Sequence, residues 1–189
     1  MNTIEALDLA NYFIYKTGHP VVQYKLHKLL FLAQGFHLAI FGKPLINSTF
    51  LPLVNGPGII GLFKFFEEGG LNAYSEVSLR ANFDSKLIST KLSEEQLEQI
   101  DSFWEVYGPL SDETLQLFIA EQGSYKNARI GVSQSDDSYL PISEAEMAAN
   151  FKENLINVLE TPKEDATTIK NWDSDLNIIA EKVKDLVIQ

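Results

Sequence analysis

One segment of this chain is apolar on almost every face of a helix. It covers residues 22–41 and ends at Gly42. A helix without a polar face has to be surrounded by other elements, and glycine is the usual residue just beyond a helix end. The pattern therefore predicts a buried central helix over 22–41, with Lys25 and Lys28 emerging near its start.

The segments around this helix have weaker, amphipathic patterns. Apolar residues at helical spacing before residue 17 predict a first helix with Thr3 as its N-cap. Residues 43–56 look extended, and Pro57 fits the first turn of a helix that runs to about residue 68. The alternation over residues 77–83 predicts a half-buried strand, which we expect to form a small ribbon with the segment near Phe50. Residues 84–92 look like a loop.

The second half of the chain contains three helix starts. Ser93 with Gln96 and Ser143 with Glu146 have the spacing of capping boxes, and Ser111 is a predicted N-cap. The helices that follow end near Tyr107, Gly123 and Leu159, with a short turn over 125–128 and a loop over 131–141. We predict a mainly α fold, a compact domain of about six or seven helices around helix 22–41 with a minor β-ribbon. This domain spans 1–160, and residues 161–189 are a linker and an amphipathic helix docked on it.

Composition limits the possible functions. The net charge is −11, but residues 1–70 carry four acidic and five basic side chains, which leaves −12 for residues 71–189. Without a basic face, nucleic-acid binding is disfavoured. The acidity suits a basic protein partner, or only maintains solubility. The absence of cysteine excludes disulfides and thiolate zinc sites. We expect no secretory signal, no membrane span and a cytoplasmic location.

No motif in the chain indicates catalysis. His27 and His37 lie ten residues apart in one helix, without metal-ligand spacing. We find no nucleophile elbow and no phosphate-binding loop. The turn 55–58, Asn-Gly-Pro-Gly, is either a tight turn needing positive φ or a place where N–H groups meet an anion. We therefore predict a protein that is not an enzyme and has no catalytic, cofactor-binding or metal-binding residues.

The order of residues carries more information than the composition. The chain reads Ala-Asn-Tyr-Phe over 10–13, YKLHKLLFLAQGFHL over 24–38, and Gly-Pro at 56–57. This order resembles the Panacea domain, the SocA-like antitoxin family once called phage-associated proteins. Pro52 and Leu53 stand where the family has Ala-Trp, and Gly58 replaces a valine. Tyr125 replaces a tryptophan, and the preceding Thr-His is absent, so the chain resembles a divergent member.

The resemblance implies a function and a set of residues. Members neutralise a cognate toxin, usually encoded in an adjacent gene, by direct protein contact, and at least one type delivers its toxin to a AAA+ protease. The residues in the matching motifs would be structural or would bind the partner. They are Lys25, Leu26, Lys28, Leu29, Gln34, Gly35, His37, Asn55, Gly56, Pro57 and Tyr125.

Other functions remain compatible with the sequence. The chain would also suit a proteolytic adaptor, or a phage or mobile-element interaction protein without a toxin. An enzyme with an unrecognised acid–base site would need His27 or His37 beside a carboxylate in a pocket. A homodimer is possible, and a dimer that groups Lys25, Lys28 and Lys64 would be needed for autoregulation through DNA, which the charge disfavours.

Overall fold

Helix α2 (Gln23–Phe41) lies at the centre of the computed structural model, which describes residues 2–160, with side chains described to 157. All residues from 26 to 40 are buried, and Gly42 ends the helix with a φ of +64°. The predicted central helix is therefore confirmed. Lys28 does not emerge from it, however, because its residue is only 3% exposed.

The described residues form seven helices besides α2. Helices α1, α5, α6 and α8 pack against it, which confirms the mainly α fold. The helices are α1 (Ala6–Thr17), α3 (Ile60–Glu68), α4 (Lys86–Lys91), α5 (Glu94–Tyr107), α6 (Asp112–Glu121), α7 (Gly123–Asn127) and α8 (Glu144–Glu160).

Aromatic rings fill the space between α2, α5 and α8. The ring of Phe36 lies 5.1 Å from that of Phe151 and 5.4 Å from that of Tyr107, measured between centroids. Phe103 stacks on Tyr107 at 5.0 Å and reaches Phe13 of α1 at 5.9 Å. Such large side chains contribute much of the apolar area removed from water on folding. They join four helices into one core.

The strands are short and do not pair as predicted. Strand β2 (Leu51–Leu53) forms an antiparallel hairpin with β3 (Gly56–Gly58). Strand β4 (Glu76–Val77) pairs with β1 (Val21–Val22), just before α2. The predicted strand over 77–83 was therefore too long, and its expected pairing with the segment near Phe50 was wrong.

Two of the predicted helix starts are wrong. Ile4 donates its N–H to the carbonyl of Leu45 at 2.9 Å and forms a bridge with Ile46, so α1 begins only after Glu5 and Thr3 is not its N-cap. Pro57 lies in β3, and α3 begins at Ile60. The predicted loop over 84–92 contains α4.

The predicted caps in the second half are present. Ser93 and Gln96 form both hydrogen bonds of the capping box, and Ser111 accepts from the N–H of Thr114. Ser143 accepts from the N–H of Glu146 at 3.3 Å. The predicted linker and last helix, residues 161–189, lie outside the described residues, so the division of the chain near residue 160 stays a prediction.

Candidate functional site

The β2–β3 hairpin is held by contacts from distant parts of the chain. The Tyr125 hydroxyl donates to the carbonyl of Leu53 at 2.7 Å, and the Arg129 guanidinium donates to the carbonyl of Pro52 at 2.6 Å. The Asp137 carboxylate accepts from the N–H of Val54 at 2.8 Å. Burial raises the pKa of Tyr125, and Arg129 partly opposes the shift. The hairpin is therefore fixed on the domain before any partner binds.

Gly56 explains why the hairpin lies so close to α2. Its φ is +116°, a backbone conformation that side chains strongly disfavour. A Cβ here would lie 2.8 Å from Oε1 of Gln116 and 3.0 Å from Cε of Lys28. Pro57 follows as a buried residue of β3. Both residues thus have a structural role in the turn.

Two tyrosines from other parts of the chain lie against the tip of the hairpin, Tyr24 of α2 and Tyr74 of the turn before β4. Asn55 is exposed, and its Nδ2 lies 3.3 Å from the hydroxyls of both Tyr24 and Tyr74. The Tyr24 ring also contacts Tyr74, at 5.1 Å, and Phe63, at 5.7 Å. We call Tyr24, Asn55 and Tyr74 the tyrosine surface. Sequence reasoning missed Tyr74, although an aromatic residue in a polar turn was a usable signal.

The two lysines of the α2 motif contact the domain itself. Lys28 forms an ion pair with Asp112 at 2.8 Å. Lys25 donates to the carbonyl of Gly108 at 3.0 Å. Burial lowers the pKa of Lys25, and the nearby Asp112 partly opposes the shift. The two lysines therefore do not form a free basic patch.

Other motif residues stabilise the surroundings of α2. The carbonyl oxygen of Gln34 accepts from the N–H groups of Leu45 and Ile46 at 2.9 and 3.0 Å. Gly35 faces Phe151 of α8 so closely that a Cβ would lie 2.5 Å from the ring. The remaining motif residues of α2, Leu26 and Leu29, are completely buried.

Both histidines of α2 are buried, and the hydrogen-bond partners identified for them are amide groups. The N–H of Ile59 donates to Nδ1 of His27 at 3.1 Å, and the ring stacks on Phe63 at 3.8 Å. His37 contacts the Lys43 carbonyl and the Gln96 side chain. Burial lowers the pKa of His27 to about 3 and is the main cause that lowers the pKa of His37 to about 4.

Residues 2–160 offer neither a metal site nor a membrane-spanning helix. In this part of the chain, no group of three or more His, Cys, Asp or Glu side chains is placed to hold a metal ion. Across the same residues, every helix falls short of the length and apolarity needed to cross a bilayer.

Comparison with known proteins identifies the family. The model of the family described as "Antitoxin SocA-like, Panacea domain" matches residues 26–126, more than half of the 189 residues. The match contains α2 from Leu26 onward, the hairpin with Asn55, Tyr74 and Tyr125, and it begins two residues after Tyr24. No curated protein and no solved structure matches the chain. The extent of the family match shows that this chain belongs to the SocA-like antitoxins with a Panacea domain.

Proposed function

We propose that this protein neutralises a cognate toxin by binding it directly, and that the tyrosine surface contacts the toxin. Membership of an antitoxin family supports the first part. One observation supports the second: among the family-motif residues named from the sequence, Asn55 alone is exposed. The others are buried or half-buried and have structural contacts.

The chemistry of the tyrosine surface suits a protein interface. Tyrosine is enriched among the residues that dominate binding energies, because its ring is large and its hydroxyl forms hydrogen bonds. Tyr74 is 71% exposed, and contact with Tyr24 and Asn55 holds it in place. A surface already ordered in this way loses less conformational entropy on binding.

The charge of the protein indicates what kind of toxin would fit. With a net charge of −11, the chain attracts basic proteins over several ångströms and disfavours acidic ones. Glu76 is exposed two residues after Tyr74. We therefore propose a toxin with a basic contact surface, encoded in an adjacent gene.

Co-expression with the adjacent gene tests this function. The neighbour should stop growth alone and be harmless beside the parent protein. Y74A and N55A should weaken toxin binding by at least tenfold, or about 1.4 kcal/mol, and reduce the rescue of growth. Y139A is the matched control, since Tyr139 is 72% exposed but lies in the loop after α7. A harmless neighbour, or equal rescue by Y74A, N55A and Y139A, contradicts the proposal.

The mechanism we propose is sequestration, without enzymatic activity. The hydrogen-bond partners identified for His27 and His37 are backbone and carboxamide groups, which supports a structural role for both histidines. Delivery of the toxin to a AAA+ protease is a separate proposal, and it predicts an ATP-dependent fall in toxin half-life when this protein is present. Sedimentation of the free protein tests the proposed homodimer.

A further inference from the structure

A cavity of about 440 Å³ lies next to the tyrosine surface. The start of α2, the end of α3 and the turn that leads to Tyr74 form its walls. Phe63 belongs to both places, because it lines the cavity and contacts the Tyr24 ring at 5.7 Å. A partner on the tyrosine surface would therefore lie beside this cavity. Its lining includes Gln23, Phe63, Glu67, Leu71, Asn72 and Ala73.

Gln23 is the unusual residue of this lining. It is only 1% exposed, yet neither Oε1 nor Nε2 of its side chain has a hydrogen-bond partner. Its backbone N–H is satisfied by the carbonyl of Ser75 at 3.0 Å, so only the side chain lacks partners. A buried polar group without a partner costs stability, because it has lost its hydrogen bonds to water. A ligand that supplies the missing hydrogen bonds would recover this cost.

The lining also indicates the charge and shape of such a ligand. Glu67 contributes a carboxylate, and no lysine or arginine is among the residues that line the cavity. Phe63, with His27 stacked on one face of its ring, also lines the cavity, and an aromatic ring favours a cation beside its free face. A guanidinium is flat, always charged and carries several N–H donors, so it suits Gln23 and Glu67 better than an ammonium does.

We infer that this cavity receives an arginine side chain of the partner that binds the tyrosine surface. The inference rests on the proposed function for the source of the arginine. The Gln23 side chain, whose polar atoms are closed off from water in the free protein, turns toward the cavity. The guanidinium then donates to its Oε1 and to the Glu67 carboxylate. The Gln23 amide nitrogen donates to a main-chain carbonyl of the same partner segment.

One competing arrangement lies within the protein. His27 is one helical turn after Gln23, and its Nε2 also lacks a partner. Because Nδ1 accepts from the N–H of Ile59, Nε2 carries the proton of the neutral ring. A rotated Gln23 side chain would accept from it, and the cavity would then hold water only. The experiment has to distinguish these two arrangements.

Titration of the full-length ¹⁵N-labelled protein with N-acetyl-arginine methylamide provides the test. We expect saturable shifts of the Gln23 side-chain NH₂ signals and of the Ala73 amide, with a Kd on the order of millimolar, as suits one side chain. Blocked citrulline, which has the same shape without charge, should bind at least fivefold more weakly. Absence of saturation, or equal binding of citrulline, overturns the inference.

Variants assign the binding to individual residues. E67Q should weaken binding of the arginine probe at least fivefold. In Q23L, the probe should no longer shift the amide signal of Ala73. E68Q is the matched control, because Glu68 is exposed at the end of the same helix and outside the cavity lining. Equal Kd values for E67Q and E68Q overturn the inference.

The two proposals fail in different ways. If Y74A still binds the toxin while the arginine probe still fills the cavity, the tyrosine surface is wrong as the toxin contact and the cation site remains. If toxin binding depends on Tyr74 while the probe causes no saturable shift, the cation site is wrong and the proposed function stands.

Discussion

Gln96 of α5 donates a hydrogen bond to Nε2 of His37 in α2, across 2.9 Å. The direction follows from the other ring nitrogen. Nδ1 lies 2.8 Å from the carbonyl of Lys43, which can only accept, so Nδ1 carries the proton and Nε2 accepts. The capping glutamine of α5 therefore also fixes the tautomer of a core histidine. A second proton on this ring would face the N–H of Gln96.

The protein should lose stability as the pH falls below about 6.5. The native pKa values, about 4 for His37 and about 3 for His27, lie below the value of about 6.5 in an unfolded chain. The unfolded state therefore takes up protons first, and its population rises on acidification. Each histidine contributes up to about 1.4 kcal/mol per pH unit, from pH 6.5 down to its native pKa. Urea unfolding at pH 7.5, 6.0 and 5.0 measures this loss.

Single substitutions show how much each histidine contributes to the pH dependence of stability. H37Q should reduce the slope of unfolding free energy against pH between 6.5 and 4. H19Q is the matched control, because His19 is exposed in a turn, and it should keep the slope of the parent protein. An unchanged slope in H37Q would show that His37 is not held neutral.

Alanine at Gly35 should destabilise the protein, although alanine is the better helix former. Its Cβ would lie 2.5 Å from the Phe151 ring, and overpacking of this kind costs about 1–3 kcal/mol. G61A is the control. Gly61 is also helical, and no atom lies within 4 Å of its added Cβ, so this change should stabilise by up to about 1 kcal/mol. Thermal unfolding should show a lower melting temperature for G35A and a higher one for G61A than for the parent protein. Equal melting temperatures would contradict the close packing of α2 on α8.

The sequence predicted α2 well because the helix is apolar on almost every face, and such a helix has to be buried. It predicted the caps of α5 and α6 because Ser93 and Ser111 act on neighbouring residues. Pro57 misled the prediction because its local signal for a helix start is overridden by distant contacts. Arg129 and Asp137 hold the hairpin from more than seventy residues away, and no local pattern indicates such contacts.

Two further errors have similar causes. Of the predicted strand over 77–83, only Val77 is paired. Asn11 accepts the N–H of Arg80 at 3.1 Å, a distant contact that removes this group from any ladder. Helix α4 was missed because its sequence is mostly polar, although the completely buried Ile88 anchors it. Within the candidate site, the motif identified Asn55. Tyr74 and the Gln23 cavity depend on the packing of the turn before β4, which the sequence pattern does not contain.

Removal of Asp112 should cost more stability than removal of its lysine partner. The Lys28 side chain is 4% exposed and that of Asp112 is 38% exposed. D112A leaves a buried ammonium without its carboxylate, whereas K28M leaves a carboxylate that water can reach. We expect D112A to lose roughly 1–3 kcal/mol and K28M to lose less, measured by urea unfolding. The reverse order would show that the main-chain carbonyl of residue 112, which already lies 3.5 Å from Nζ of Lys28, is a sufficient acceptor.

Replacement of Gln34 by leucine should destabilise the segment after α2 that contains Leu45 and Ile46. The side chain has similar size, but the N–H groups of Leu45 and Ile46 would lose their shared acceptor, and the Ile46 carbonyl would lose a donor at 3.2 Å. Each buried group left without a partner costs about 1–3 kcal/mol, so Q34L should lose several kcal/mol of stability. Hydrogen exchange should accelerate at the amides of Leu45 and Ile46 before other core amides. Q134L, in an exposed loop, is the matched control and should leave both measurements unchanged. Parent-like exchange at these two amides in Q34L would contradict the structural role of the motif glutamine.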